Sequence, residues 1–174
     1  ACEKAALTGM AFTVSRHCYH VGRVGAYVQQ IAERGLIGLA VASGSQEGHF
    51  VVPWGGREGK LTTSPIAFGA PGPERPLVVD MSTSMISEGK IRALLHAGEQ
   101  LPEGCILDAE GLPSTDPNAF YGPPKGVILP FGGGMGYKGF GLGMIVQILG
   151  TVMSAESATA DYTCVNGFSL IVID

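Results

Sequence analysis

The sequence has little charge, and the charge it has is spread thinly. Only 15% of its 174 residues are Asp, Glu, Lys or Arg, against roughly 25% in an average soluble domain. The 11 basic and 15 acidic residues give a formal net charge of −4, and no Lys/Arg cluster is present that could follow a phosphate backbone. We therefore expect no nucleic-acid partner.

Two further absences concern cysteines and apolar runs. The four cysteines form no C-x-x-C pair and no N-x-S/T sequence is present, so nothing indicates secretion and a cytoplasmic location is expected. The longest uncharged run, 139–155, is interrupted by glycines and falls short of the ~20 apolar residues of a membrane span. We expect no membrane association, and we interpret 139–153 as a buried helix.

Glycine, in contrast, is abundant, with 27 residues, or about twice the usual ~7%. Glycine allows positive φ and close approach of the backbone, so its abundance favours a ligand-binding α/β protein. Alternating strands and helices also predict the α/β class. The main predicted elements are a strand at 11–15, a loop at 17–22, a helix at 24–34, a strand at 36–42, a buried strand at 77–81, a helix at 85–96 capped by Ser82 or Ser84, and a strand at 126–129.

The sharpest local pattern is the G-x-G-x-x-G sequence at 134–139, which follows an apolar strand and opens a helix. Unpaired N–H groups at a helix start attract phosphate, and Lys138 adds a cation, although a solvated surface lysine is the alternative. An ordinary Rossmann site would also need an acid about 20 residues on, and the candidate for it is Glu156. A Walker loop is excluded, because Tyr137 precedes the lysine and no Ser or Thr follows it.

Two other segments carry side chains suited to chemistry. His17-Cys18-Tyr19-His20 groups three potential metal ligands, but no second Cys/His cluster completes a zinc site, so no metal is expected. His20 lies in a predicted turn, where an imidazole either exchanges protons in a cleft or is merely structural. Asp80-Met81-Ser82-Thr83-Ser84 lies at the carboxyl end of a strand, where α/β sheets bind ligands, or serves only as a helix cap.

Eight segments, in order along nearly the whole chain, together resemble the type-2 malate/L-lactate dehydrogenase family of NAD(P)-dependent oxidoreductases. They are His20-Val21-Gly22, Gly35-Leu36-Ile37-Gly38, Pro53-Trp54-Gly55-Gly56, Thr63-Ser64-Pro65, Asp80-Met81-Ser82-Thr83-Ser84, Gly89-Lys90, Thr115-Asp116-Pro117 and Gly136-Tyr137-Lys138-Gly139. The resemblance implies an α/β fold with a mixed sheet flanked by helices, of the family's own non-Rossmann dinucleotide-binding type. It also implies NAD or NADP as cofactor, a small 2-hydroxy or 2-oxo acid as substrate, and a homodimer.

The same resemblance implies roles for individual residues. His20 would be the catalytic proton acceptor. Gly44 stands where the family usually offers Ser or Asn, so either Ser43 substitutes or only backbone meets the nucleotide there, and Ser64 likewise replaces an asparagine. The implied cofactor-binding positions are Gly44 with Ser43, Asp80, Met81, Ser82, Lys138 and Gly139.

Compared with the family, we expect residues 1–174 to be a central cofactor-binding domain that lacks an N-terminal helical lobe and the C-terminal end. Because that lobe helps to bind substrate, we expect weak cofactor binding and almost no 2-oxo acid reduction from this chain alone. Arg23 could clamp the substrate's carboxylate, or it could simply face solvent. Two other classes of function stay open, a dinucleotide-binding module without turnover and a purely structural piece.

Overall fold

The computed structural model describes residues 1–44, 48–154 and 166–174, which belong to two compact units. The first, called the sheet unit below, comprises Ala1–Glu47, Ser64–Met81 and Ile145–Asp174. The second, called the turn unit, comprises Gly48–Thr63 and Ser82–Met144.

The sheet unit is built on five strands and two helices. They are α1 (Cys2–Thr8), β1 (Met10–Cys18), α2 (Gly25–Ala32), β2 (Ile37–Gly44), β3 (Ile66–Ala70), β4 (Leu77–Met81) and β8 (Asn166–Ile173). The strand order is β1-β8-β2-β3-β4, and all four pairings are antiparallel.

Helix α2 packs closely on one face of this sheet because two strand positions lack a side chain. A Cβ at Gly38 would lie 2.9 Å from Ile31 Cδ1, and a Cβ at Gly69 would collide with the Val28 carbonyl oxygen. The buried residues that this packing joins are Val24, Val28, Ala40, Ala42, Ala67 and Phe168. The close approach fixes where α2 begins relative to the ends of the strands.

The opposite face of the sheet presents a row of apolar side chains, one from each strand. Successive cross-strand partners in this apolar row are Phe12, Ile171, Leu39, Phe68 and Val79. Three of them, Phe12, Phe68 and Val79, are 42%, 36% and 45% exposed. Within the described residues, much of this face is therefore uncovered.

The turn unit holds shorter elements joined by long loops. They are α3 (Glu88–Ala97), β5 (Ile106–Leu107), β6 (Pro113–Ser114), α4 (Pro117–Tyr121), β7 (Val127–Ile128) and a 3-10 turn (Gly133–Met135), after which α5 (Tyr137–Gln147) begins. The strands pair in the order β6-β5-β7, again antiparallel. The core of this unit includes Ile91, Ile106, Phe120 and Ile128.

The predicted α/β class, with helices and a sheet of non-Rossmann type, is confirmed. An ordinary Rossmann fold is excluded for the described residues, because it needs parallel strands and the five-stranded sheet is antiparallel. The parallel component of the predicted mixed sheet is, in the described part of the chain, a single bridge between Val51 and Ile128.

Two details of the predicted elements near Asp80 are wrong. β4 is not buried but is an edge strand, and its Leu77 is 58% exposed. The following helix begins only at Glu88, and its cap is Ser87, whose hydroxyl accepts the Lys90 N–H at 3.3 Å, rather than Ser82 or Ser84. An apolar run indicates where side chains avoid water, but not which element covers them.

The apolar helix predicted at 139–153 is also wrong in detail. It begins two residues earlier and changes at residue 148 to a π-helical segment (Ile148–Val152). It is not buried throughout, since Ile145 and Val152 are 53% and 62% exposed. None of the described helices combines the length and the apolar composition that crossing a bilayer requires.

Candidate functional site

Strands β1, β2 and β4 of the sheet unit end at the same edge of the sheet. Asn166, the first residue of β8, pairs with both Cys18 and Gly44, which end β1 and β2. Met81, which ends β4, pairs with Ile66, the first residue of β3. The sheet therefore brings five of the predicted site residues to one edge, namely His20, Ser43, Gly44, Asp80 and Met81.

His20 is exposed in the turn between β1 and α2. Hydrogen bonds from other elements hold the backbone carbonyls of both of its sequence neighbours. The Asn166 side-chain amide donates to the Tyr19 carbonyl at 2.8 Å, and the Tyr27 hydroxyl donates to the Val21 carbonyl at 2.8 Å. Neither partner is evident from the sequence, because both contacts depend on how other elements, β8 and α2, pack beside the turn. The imidazole is thus carried by a turn with fixed neighbours.

The Gly22 amide decides which nitrogen of His20 carries the proton. Its N–H donates to Nδ1 at 2.9 Å, so Nδ1 offers its lone pair and the neutral ring carries its proton on Nε2. In this arrangement the ring can donate a hydrogen bond from Nε2. Accepting a proton at Nε2 requires the other tautomer and the loss of the Gly22 contact.

Asp80 directs its carboxylate at the start of α2. Oδ2 accepts the Gly25 N–H at 3.0 Å and lies 3.9 Å from Arg23 Nη1. A Cβ at Gly25 would lie 2.6 Å from the same oxygen, so glycine is needed there. The carboxylate satisfies an N–H group of the first turn and faces the positive end of the helix dipole. The Arg23 side chain is 56% exposed and also donates to Gln29 at 2.9 Å.

Ser43 and Gly44 differ in what surrounds them at the end of β2. Ser43 is 2% exposed, and its hydroxyl hydrogen-bonds the side chain of Gln147. A Cβ at Gly150, in the π-helical segment, would lie 3.0 Å from the Ser43 nitrogen. Ser43 therefore joins β2 to the end of α5, whereas Gly44 is the last residue of the strand.

In the turn unit, the glycine-rich turn at 132–139 reverses the chain before α5, as the sequence predicts. Gly132 and Gly133 have φ of 118° and 54°, conformations that favour glycine. A Cβ at Gly133 or Gly134 would meet nothing within 4 Å, so the space beside this part of the turn is open. Because α5 begins at Tyr137, the N–H groups of Tyr137 and Lys138 have no acceptor within the helix.

Lys138 and Gly139 differ in the contacts they make. The Gly139 N–H donates to the Phe131 carbonyl at 3.1 Å, and a Cβ at Gly139 would collide with that oxygen. Lys138 is exposed, and among the described residues its ammonium has neither an ion pair nor a hydrogen-bond partner. The glycine shapes the turn, while the lysine leaves a positive charge facing outward.

The backbone of Phe131 connects the glycine turn to the segment that begins at Ser82. The Phe131 N–H donates to the Thr83 carbonyl at 2.9 Å, while its own carbonyl accepts the Gly139 N–H. The turn unit therefore brings Ser82, Lys138 and Gly139 into one region. The role of Phe131 is not evident from the sequence, since a backbone contact leaves no signal in residue type.

Two aromatic side chains flank this turn. The rings of Trp54 and Tyr137 are T-shaped, with centroids 6.2 Å apart, and the two residues are 47% and 48% exposed. A Cβ at Gly136 would lie 2.6 Å from Trp54 Cζ3, so the absence of a side chain there makes room for the indole. In the sequence this tryptophan is only part of a family motif, and its spacing from the turn carries no signal.

No three His, Cys, Asp or Glu side chains group as a metal site within residues 1–44, 48–154 and 166–174. Glu156, the acid considered for a Rossmann ribose contact, lies outside the described residues.

A model of the malate/L-lactate dehydrogenase family matches residues 1–174. The chain belongs to this family. The L-lactate dehydrogenase of Cupriavidus necator is 38% identical over 156 residues, which cover 88% of this chain and 44% of that protein. The malate dehydrogenase of Pyrococcus horikoshii is 35% identical over 158 residues, covering 88% of this chain and 42% of that protein.

A solved structure has the same fold as this chain. The Δ1-piperideine-2-carboxylate reductase of Pseudomonas syringae pv. tomato aligns with a TM-score of 0.89 at 33% identity, covering 99% of this chain and 52% of that one. The chain thus spans about half the length of the relatives it matches. The resemblance seen in the sequence and the implied fold are confirmed, while the roles of individual residues stay predictions.

Proposed function

We propose that the chain is the dinucleotide-binding part of an NAD(P)-dependent oxidoreductase that moves a hydride between nicotinamide and C2 of a small 2-hydroxy acid. Family membership and relatives named for lactate and malate support this reaction class. A relative named as a reductase of a cyclic imino acid widens the substrate class. In this chain, the observation that carries the proposal is the glycine turn at 132–139, with its open helix start and outward-facing lysine.

The groups at this turn fit the pyrophosphate of a dinucleotide. Gly133 and Gly134 leave open space, and the first N–H groups of α5 lie at the positive end of the helix dipole. Lys138 adds a full positive charge. We assign Lys138 and the N–H groups of Tyr137 and Lys138 to the phosphates, and we assign Gly139 to shaping the site, because its own N–H already donates to Phe131.

The remaining cofactor positions are proposed for the ribose or nicotinamide end. Gly25 already donates to Oδ2 of Asp80, so Oδ1 is the oxygen proposed to accept a ribose hydroxyl. Met81 and Ser82 continue the chain from this carboxylate, and Gly44 is proposed to meet the nucleotide through its backbone. Ser43 would act indirectly, since its hydroxyl is engaged with Gln147.

His20 is proposed as the acid/base group. When bound, the nicotinamide ring supplies the hydride acceptor or donor. During oxidation, His20 takes the hydroxyl proton as the alkoxide becomes a carbonyl, and the proton returns to the oxygen during reduction. With Nδ1 engaged by Gly22, the ring offers Nε2–H to a 2-oxo oxygen. Proton uptake from a hydroxyl requires that the Gly22 contact be released first.

A homodimer in the cytoplasm belongs to the same proposal. The partly exposed apolar row of the sheet supports a second copy as partner, because none of its five residues is ionisable and two copies would meet without like charges. The absence of a Lys/Arg cluster supports the absence of a nucleic-acid partner, and the short, glycine-interrupted apolar run at 139–155 supports the absence of a membrane partner. Sedimentation of the Phe68→Lys variant should show that the dimer dissociates. The control variant Leu7→Lys, at a residue of α1 that is 86% exposed, should remain a dimer.

A titration with NADH and NADPH tests the proposal. Trp54 is the sole tryptophan, so energy transfer from its indole to reduced nicotinamide reports binding near the glycine turn. Pyruvate, oxaloacetate or a cyclic imino acid is then added, and the loss of reduced-nicotinamide absorbance is followed. Binding with turnover supports the dehydrogenase, binding without turnover supports a dinucleotide-binding module, and no binding of either cofactor contradicts both.

A further inference from the structure

The aromatic pair Trp54 and Tyr137 is placed to do more than pack. We propose that it forms a platform on which an aromatic ring of the dinucleotide, adenine or nicotinamide, stacks beside the phosphates held by the glycine turn. The inference rests on the proposed function, since it needs a dinucleotide at that turn. It adds a recognition surface for the ring to a site otherwise made of charge and N–H groups.

The first observation is an excess of exposed apolar side chains around the turn. Trp54, Phe131, Met135 and Tyr137 are 47%, 49%, 48% and 48% exposed. The same unit buries another aromatic side chain, Phe120, to 3%. A cluster of large, half-exposed apolar groups beside a few polar donors is the usual composition of a small-molecule site.

The second observation is that Trp54 is held in place before any ligand arrives. It lies in a tight turn closed by the Gly56 N–H, which donates to the Pro53 carbonyl at 2.8 Å, and Gly55 has φ of 79°. The indole lies beside Gly136 and makes a T-shaped contact with the ring of Tyr137. A fixed aromatic surface loses little conformational entropy when a ring stacks on it.

The third observation is that both aromatic residues lie in the same unit as the proposed phosphate donors, one of them next to Lys138 in sequence. In a dinucleotide, both adenine and nicotinamide are one sugar away from the pyrophosphate. A base stacked on an aromatic side chain gains roughly 5- to 150-fold in affinity. The shared chemistry is therefore a flat heterocycle linked through a sugar to an anion.

The test separates ring binding from phosphate binding. Trp54→Ala should weaken NADH binding at least tenfold in calorimetry and leave the affinity for inorganic pyrophosphate within twofold, while Trp54→Phe restores most of the loss. Lys138→Met should weaken both ligands. Leu112→Ala, at a residue 62% exposed in the same unit, should weaken neither. Titrations with ADP and nicotinamide mononucleotide then identify the ring. Only the mononucleotide whose ring stacks on Trp54 should bind more weakly to Trp54→Ala than to the wild-type chain.

The wild-type chain supplies a second measurement if a variant fails to fold. Stacking predicts that saturating ADP or nicotinamide mononucleotide quenches Trp54 emission. Unchanged emission at saturation, or NADH binding that depends on Lys138 but not on Trp54 or Tyr137, would overturn the platform and leave the proposed function standing. If neither NADH nor pyrophosphate binds the wild-type chain, the proposed function fails and the platform fails with it.

Discussion

The candidate residues in the two units differ in how many of their hydrogen-bonding and charged groups already have a partner in the protein. In the sheet unit, Gly22 engages His20 Nδ1, and Gly25 engages Asp80 Oδ2. In the turn unit, Lys138 has no described partner, and the helix start lies beside open space at Gly133 and Gly134. The Gly22 contact selects the tautomer of His20 and must be released before Nε2 accepts a proton, whereas an anion site needs donors that the protein has left unused.

The two units also position their candidate groups by different means. The sheet unit uses an antiparallel ladder whose strand ends collect side chains at one edge. The turn unit uses glycines, some of which, such as Gly139, pack on backbone while others, such as Gly133, leave space. Substitutions at His20, Gly139, Lys138 and Asp80 each remove one kind of support.

The largest effect is expected for the proton-transfer group. In a preparation of the protein that turns over a 2-hydroxy acid, His20→Ala should lower kcat by roughly 10²- to 10⁴-fold, because the hydroxyl proton loses its acceptor. Cofactor affinity should change by no more than a few fold. Steady-state kinetics and an NADH titration measure the two quantities. If His17→Ala abolishes turnover and His20→Ala does not, the wrong histidine has been assigned.

The next effect concerns Gly139, a glycine that packs on backbone. Gly139→Ala should destabilise the fold by about 3 kcal/mol, because the new Cβ collides with the Phe131 carbonyl and the backbone must shift. Gly141 lies in the same helix with nothing within 4 Å of its Cβ position, so Gly141→Ala should stabilise by about 0.8 kcal/mol. Urea denaturation compares the two variants, and equal stabilities would show that the turn is not packed as described.

Removing the outward-facing charge should affect binding but not folding. Lys138→Met should weaken dinucleotide binding by about 1.5 to 3 kcal/mol, the range for a hydrogen bond to a charged group. Lys125→Met removes another exposed lysine of the same unit and should leave the affinity unchanged. Unchanged NADH affinity in a folded Lys138→Met variant would remove this lysine from the site.

The smallest effect is expected where the protein already uses the candidate group. Asp80→Ala should lower stability by about 1 kcal/mol, since the Gly25 N–H loses its acceptor. Asp80→Asn keeps an acceptor oxygen and should lose about 0.5 kcal/mol through the helix dipole. Thermal unfolding measures both, and a weaker NADH affinity in Asp80→Asn would support the proposed ribose contact. No stability change in either variant would contradict the structural role.

Much of the fold could be predicted from local pattern. The strand, 3-10 turn and helix order around 126–147 follows from an apolar run, successive glycines and a second apolar run. The exposure of β4 could not be predicted, because Leu77 and Val79 have the composition of a buried strand and only the sheet order makes β4 an edge. The same applies to the helix cap, where Ser82, Ser84 and Ser87 are equivalent in type.

The candidate site was predictable where residue type carries the chemistry and not where backbone geometry does. His20 and Lys138 are identifiable from their side chains and from a family motif. The contacts of Asn166, Tyr27 and Phe131 with these segments depend on tertiary structure and have no local signature. Likewise, the unavailability of the Gly139 N–H follows from one backbone hydrogen bond that no motif encodes.

The central claim is that the glycine turn of the turn unit holds a dinucleotide's phosphates. The most direct measurement is the amide NMR spectrum of the chain during titration with NADH. We expect the amide chemical shifts of Gly133, Gly134, Tyr137 and Lys138 to change in proportion to the fraction of chain that has bound NADH. The amide of Gly139 already donates to Phe131, so its chemical shift should change less. NADH binding that leaves the amides of this turn unmoved would contradict the claim.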